Sequence, residues 1–285
     1  MRTRGRRRGP VAGILAAVCS VAVCLTGCAQ SVDPIERLGK KTAERVGTHR
    51  PAAQPAYRRW GLDRPLASAP SAARGRVGRV LGKAGAGAGA GLPLVVDRVP
   101  TRDKVVFLTY DDGAERDARF VDLVRELRLP VGMFLTDSVV GPGYAHFARL
   151  RAVGASLENH TLDHPAMQGL PYAGQRAEIC GQQRKLHARF GVWPRLFRPP
   201  YGRYDATTLR AAGDCGISAV VLWRVSLDGD GGLSYVAGEH RLGPGDIIAV
   251  DPGETTAPVL RERTVRLLRE IQGGGLTVGR LEDYL

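Results

Sequence analysis

Short runs rich in Val, Ile and Leu recur through the second two thirds of this chain, and segments with helical spacing separate them. Val105-Val106-Phe107-Leu108, 131–135, 155–157, 217–223 and 247–250 read as strands. They are mostly continuous apolar runs rather than alternating ones, as expected when both faces of a strand are covered. Between the first two, 115–129 places Phe120, Leu123, Val124 and Leu127 at helical spacing and stops before Pro130. Helices are also expected over 144–152, 175–190, 205–212 and 258–271, with Asp205 suited to an N-cap. Val95-Val96 opens the series and 276–278 closes it. Strands alternating with helices call for a parallel sheet covered by helices, either a barrel or a doubly wound open sheet.

Polar clusters follow these strands directly. Asp111-Asp112, His160, Arg198 and Asp251 each come just after a strand-like run. Residues at the carboxyl ends of several strands converge on one face of a (β/α) barrel. An open sheet has one crevice and rarely draws on so many strands. Adjacent carboxylates repel unless a cation compensates. His160 and His164, at i and i+4, face one way on a helix or turn. Two histidines and one aspartate leave positions open for water and substrate, as catalytic zinc sites do. The second aspartate is then left over as a base. A divalent ion activates water near neutral pH, which hydrolysis of a stable amide or ester needs. An aspartate-nucleophile phosphatase fits worse. Asp111-Asp112-Gly113 lacks the alternating Asp-x-Asp spacing, and the histidines would have no role.

Thr109-Tyr110-Asp111-Asp112-Gly113 resembles the first motif of the polysaccharide deacetylase family (the NodB-homology domain), with Tyr110 where Phe is commoner. His160-Thr161-Leu162-Asp163-His164 is similar to the second motif, and Phe197-Arg198-Pro199-Pro200-Tyr201-Gly202 to the third. The resemblance covers about residues 93–285. It implies a distorted, incomplete (β/α) barrel that removes N- or O-linked acetyl groups from cell-envelope or environmental polysaccharide. It implies Asp112, His160 and His164 as ligands of a divalent metal, zinc foremost. Asp111 would be the general base and Arg198 its partner. The backbone N–H of Tyr201 would help to stabilise the oxyanion.

Two motifs depart from the family pattern. In Trp223-Arg224-Val225-Ser226-Leu227-Asp228-Gly229, Asp228 stands in for the last aspartate of the fourth motif. In the fifth, Asp251 follows the apolar strand where the family has a histidine that acts as general acid. A carboxylic acid can donate at neutral pH only if its pKa is raised. Loss of general acid catalysis costs about 10²–10⁴-fold. An ester depends on that proton less than an amide does. The alternative expectation is therefore a catalytically weak or inactive glycan-binding lipoprotein that retains the metal.

The N-terminus reads as an export signal. Residues 1–27 carry five arginines and no acids, with an apolar run over 11–25. That run is shorter than the roughly 20 residues that span a bilayer and fits a signal peptide. Leu25-Thr26-Gly27-Cys28 resembles a bacterial lipobox, which makes Cys28 the expected lipidation site and the protein extracytoplasmic and membrane-anchored. Residues 28–92 are rich in Ala, Gly, Pro and Arg and read as a linker. Within them Tyr57, Trp60 and Leu62 form an apolar patch able to dock on the domain.

The net charge of +13 does not belong to the motif-bearing segment. Residues 93–285 carry 24 charges of each sign. With no groove-binding motif in the basic part, nucleic acid is excluded as a partner. A monomer is expected. After export and lipidation only Cys180 and Cys215 remain as thiols, either bonded to each other or buried separately.

Overall fold

A computed structural model describes residues 54–70, 92–113, 116–236, 240–250 and 257–285. Among them, ten strands form one sheet: β1 Leu94–Val96, β2 Val105–Tyr110, β3 Val131–Leu135, β4 Ser156–Asn159, β5 Leu196–Phe197, β6 Ala219–Val221, β7 Val225–Leu227, β8 Leu233–Tyr235, β9 Ile247–Val250 and β10 Thr277–Val278. Their order is β1-β6-β5-β4-β3-β2-β9-β7-β8, with β10 beside β2. All pairings are parallel except β7 with β8. Among the described residues β1 and β8 end the row without pairing to each other, so the sheet curls into a half-barrel that does not close. This is the distorted, incomplete (β/α) barrel that the motifs implied.

The helices are α1 Ala56–Arg59, α2 Ala118–Leu127, α3 Asp137–Val140, α4 Tyr144–Ala152, α5 Tyr172–Phe190, α6 Ala206–Asp214 and α7 Ala257–Gly273. Local chemistry sets their limits. The Asp117 carboxylate caps α2 by accepting from Arg119 N–H, and the helix ends at Arg128 in the left-handed conformation. Gly191, at φ 67°, ends α5. Asp205 and Thr208 form a reciprocal capping box at the start of α6. The N–H groups around Asp205, Gly169 foremost, hold its carboxyl at about 2.

Strand β2 shows why the sheet must be covered on both sides. All six of its residues are buried. Val106, Leu108 and Tyr110 pack in the layer beneath α2, while Val105 and Phe107 face a second cluster with Phe134, Leu196, Val221, Ile247, Leu281 and Tyr284. Successive residues point to opposite faces of a strand, so one run of apolar side chains supplies both layers. The C-terminal turn Leu281–Asp283 closes the second cluster. Tyr284 sets its ring edge-on to Phe107 at 5.0 Å and donates from its hydroxyl to Asp103.

The stretch expected as a linker is not uniform. Residues 54–70 pack on the domain, which therefore begins earlier than residue 93. Leu62 is buried against the core, and Trp60 Nε1 donates to Glu126 at 2.7 Å. Gln272 donates to the carbonyls of Arg64 and Pro65, and Arg269 to that of Gly61. The docking patch read from Tyr57, Trp60 and Leu62 touches the core, as do Leu66 and Ala69. Residues 1–27, Cys28 and the Ala-Gly run over 84–91 lie outside the described residues. Among the described residues no helix is long and apolar enough to cross a membrane. Cys180 and Cys215 are bonded to each other, tying α5 to the end of α6.

Candidate active site

The carboxyl ends of β2, β4 and β5 bring together what the sequence scatters over ninety residues. Asp111 and Asp112 follow β2, His160 follows β4 and Arg198 follows β5. The arginine is fully buried and holds three strand ends. Its Nη1 donates to Asp111 Oδ1 at 2.6 Å, its Nε to the Val221 carbonyl at 3.2 Å and its Nη2 to the Leu222 carbonyl at 3.3 Å. The guanidinium lies over the rings of Phe134, at 4.4 Å, and Trp223, at 5.4 Å. A buried guanidinium needs a charged partner and acceptors for its N–H groups, and here each of its three nitrogens meets one.

The backbone of Arg198 orients the histidine. His160 Nδ1 sits 2.7 Å from the Arg198 carbonyl, so this nitrogen carries the proton and donates it. Nε2 is left with its lone pair facing outward. Burial pushes the His160 pKa down to about 4, so the ring is neutral near pH 7. His164 Nε2 lies 3.2 Å from His160 Nε2, and Asp112 Oδ1 lies 3.4 Å and 3.2 Å from the two ring nitrogens. The three groups offer ligand atoms within 4.8 Å of one another. A neutral imidazole nitrogen, a second imidazole and a carboxylate converging on one point repel unless a cation lies among them. The donor set thus fits a borderline-soft divalent ion held by nitrogen and oxygen.

Strained backbone presents these side chains. Asp112, Thr161, His164 and Tyr201 all have positive φ, and together with Arg128 they are all such non-glycine residues in the described chain. Such conformations persist where surrounding contacts over-determine them. The His160–His164 segment is a turn rather than a helix. Asn159 Oδ1 accepts from Thr161 N–H, Thr161 Oγ1 from His164 N–H, and Glu178 of α5 from the N–H groups of Leu162 and Asp163. Gly113, at φ 81°, admits no side chain. A Cβ there would meet Val140 at 2.6 Å and Leu135 at 2.9 Å. Tyr110 fills the position where Phe is commoner, and its hydroxyl bonds Thr264 Oγ1 at 3.1 Å.

Tyr201 lies beside the cluster, its ring 4.8 Å from that of His164, and is 63% exposed. Among the described residues its backbone N–H meets no backbone acceptor. Asp228 follows β7, whose end is level with those of β9 and β2. It lies in the β7–β8 hairpin, where the hydroxyls of Ser226 and Ser234 bond its carboxylate. Asp251, the expected general-acid position, lies outside the described residues. Sequence reasoning passed over Phe134 and over the support that Trp223 gives Arg198. An apolar residue next to a motif carries no signal of its own, since the ring acts through a guanidinium supplied by another strand.

The sequence profile of polysaccharide deacetylases matches residues 98–220. An uncharacterized protein of Streptomyces coelicolor is 66% identical over 197 residues, covering 69% of this chain and 79% of its own. Seven further curated relatives, among them xylan, chitin and peptidoglycan deacetylases, are more distant, and the chain spans between 27% and 60% of their length. Among solved structures, a family 4 carbohydrate esterase from Streptomyces lividans in complex with acetate is 26% identical. It has a TM-score of 0.53 and covers 63% of this chain and 93% of its own. A family 4 pseudoenzyme from Bacillus anthracis shares the fold at 20% identity, with a TM-score of 0.57 and coverage of 67% of this chain and 69% of its own. With the motif residues assembled at one end of the half-barrel, the chain belongs to the polysaccharide deacetylase family.

Proposed function

We propose that this protein is a metal-dependent hydrolase that removes acetyl groups from a cell-envelope polysaccharide, held at the membrane by lipid on Cys28. The observation that carries the reading is the double role of Arg198. Its side chain pairs with Asp111, and its carbonyl turns His160 Nε2 toward Asp112 and His164. That arrangement separates a base from a ligand set, although Asp111 and Asp112 are adjacent in the chain.

Asp112, His160 and His164 would hold the ion. When bound, a divalent cation polarises the acetyl carbonyl and makes water more acidic. Asp111, paired with the Arg198 guanidinium, takes the proton from the attacking water. The N–H of Tyr201 donates to the developing oxyanion. Asp251 stands at the position of the proton donor to the leaving group, which departs as a hydroxyl or an amine while acetate is released. A carboxylic acid in place of imidazole favours ester over amide substrates, because an alkoxide can leave unprotonated whereas the amide nitrogen must be protonated first.

Acetate release from O-acetylated and N-acetylated peptidoglycan fragments tests this, with protein freed of residues 1–27. Release is expected to require added zinc, to stop with chelator and to fall at least about 10³-fold in Asp112→Ala. No release from either substrate with metal bound overturns the deacetylase reading. The chain would then be a glycan-binding protein that keeps the metal site, the reading that Asp251 at the general-acid position favours.

A further inference from the structure

A second cavity, of about 630 Å³, opens at the amino-terminal ends of β4, β5 and β6, away from the strand ends that carry Asp111 and His160. None of the active-site residues lines it. At its rim stands Trp193, 57% exposed, in a domain whose other described tryptophans are mostly covered. Its ring stacks on that of His187, with centroids 4.4 Å apart and planes within 15°. One face of the indole is thus backed and held flat while much of the ring stays in water. A flat aromatic face held in this way is a surface on which another ring can stack.

The cavity is polar as well as flat-sided. Ser156 Oγ is inaccessible to solvent and has no hydrogen-bond partner among the described residues. That oxygen has no accessible surface, so a ligand in the cavity reaches it only if the wall moves. Arg151 and Arg195 add exposed donors, and Glu158 and Glu282 add carboxyl groups. Arg280 also lines the cavity, and Glu158 is almost fully buried. A pyranose ring fits both halves of this chemistry. Its C–H face is drawn to the negative face of an aromatic ring, and its hydroxyls donate and accept around the edge. The volume lies within the range of small-ligand sites.

We propose that this cavity is a non-catalytic saccharide-binding site in which a sugar ring stacks on Trp193. The inference rests on the reading of this chain as a glycan-acting protein, and it supplies a hold on the polymer that is independent of acetyl removal. The three tryptophans of the chain permit a direct test. Trp193 reports on this cavity, Trp223 on the surroundings of Arg198, and Trp60 on the helix-bound segment. The full-length chain in detergent, labelled with 5-fluorotryptophan, is titrated with chitopentaose and followed by fluorine NMR, with signals assigned by Trp→Phe variants.

The Trp193 signal is expected to shift saturably while that of Trp60 stays fixed. His187→Ala, which removes the backing ring, is expected to raise the Kd at least fivefold without unfolding the chain, since both rings are on the surface. A Trp193 signal that does not move, or that moves in step with all three, overturns the proposal. So does a His187→Ala variant that binds as tightly as the parent. A saturable Trp193 shift in a metal-loaded protein that releases acetate from neither O- nor N-acetylated fragments refutes the deacetylase reading and leaves this one standing.

Discussion

Arg198 is the residue on which most of the site depends, because three strand ends and two rings meet it at once. Removing the side chain outright would leave Asp111 without its cation in a half-buried place, a change that commonly costs 3–5 kcal/mol and risks the fold. Arg198→Lys is the more informative substitution. An ammonium can meet Asp111 but cannot also reach the Val221 and Leu222 carbonyls in the planar geometry of a guanidinium. The variant is expected to stay folded and to lose about 10²-fold in kcat on an acetylated fragment, with KM changed less than threefold. Steady-state kinetics beside a thermal melt checks this. Equal losses in kcat and melting temperature across unrelated core variants would point to global loosening instead. The four positive-φ residues around Arg198 set a similar demand on the backbone, since each aims a side chain or an N–H that an extended residue would turn away.

At the scale of elements, α5 does more than cover the sheet. Its Glu178 accepts from two N–H groups of the turn that presents His164, and its Asn159-facing side holds Gln183 and the Ile179 carbonyl. The Cys180–Cys215 bond anchors this stretch of α5 to the end of α6 across 35 residues of chain. Closing a loop of that length restricts the unfolded chain by about 2–4 kcal/mol. The double variant Cys180→Ser, Cys215→Ser is expected to lose that much stability in urea unfolding, and the parent is expected to match it once reduced. A parent whose midpoint ignores reductant would show that the bond adds no stability. The sequence made much of this layer legible. Strands 131–135 and 247–250, the helix at 144–152 and the Asp205 cap all stand where periodicity and capping chemistry put them. The β7–β8 hairpin was missed because Val225-Ser226-Leu227 and Leu233-Ser234-Tyr235 are three residues each, too short for a pattern to repeat. Asp228, the stand-in for the last aspartate of the fourth motif, has the hydroxyls of the hairpin serines to bond.

Across the whole molecule, burial has trapped ionisable groups whose effects on stability oppose one another. His146 is 4% exposed, rests edge-on to Phe147, and has no hydrogen-bond partner at either ring nitrogen among the described residues. Burial, with Arg149 adding to it, pushes its pKa down from the ordinary 6.5 to about 4. Between those values the unfolded chain takes up a proton that the folded chain refuses, so stability falls as pH drops from about 6.5 toward 4. Glu158 and Asp246 are raised by burial and act the other way, since they hold protons in the folded state and oppose it as pH rises above the carboxylate range. His160, lowered to about 4 in the metal-free protein, adds to the trend set by His146. The individual share of His146 therefore emerges only as a difference. His146→Phe keeps a flat ring in the same space and removes the proton. The variant is expected to gain on the parent steadily as pH falls from 7 to 4.5, by on the order of 2 kcal/mol at the lower end, with urea unfolding in chelator as the measurement. A gap between the two proteins that stays constant over that range would mean that His146 takes up its proton in the folded state as readily as in the unfolded one.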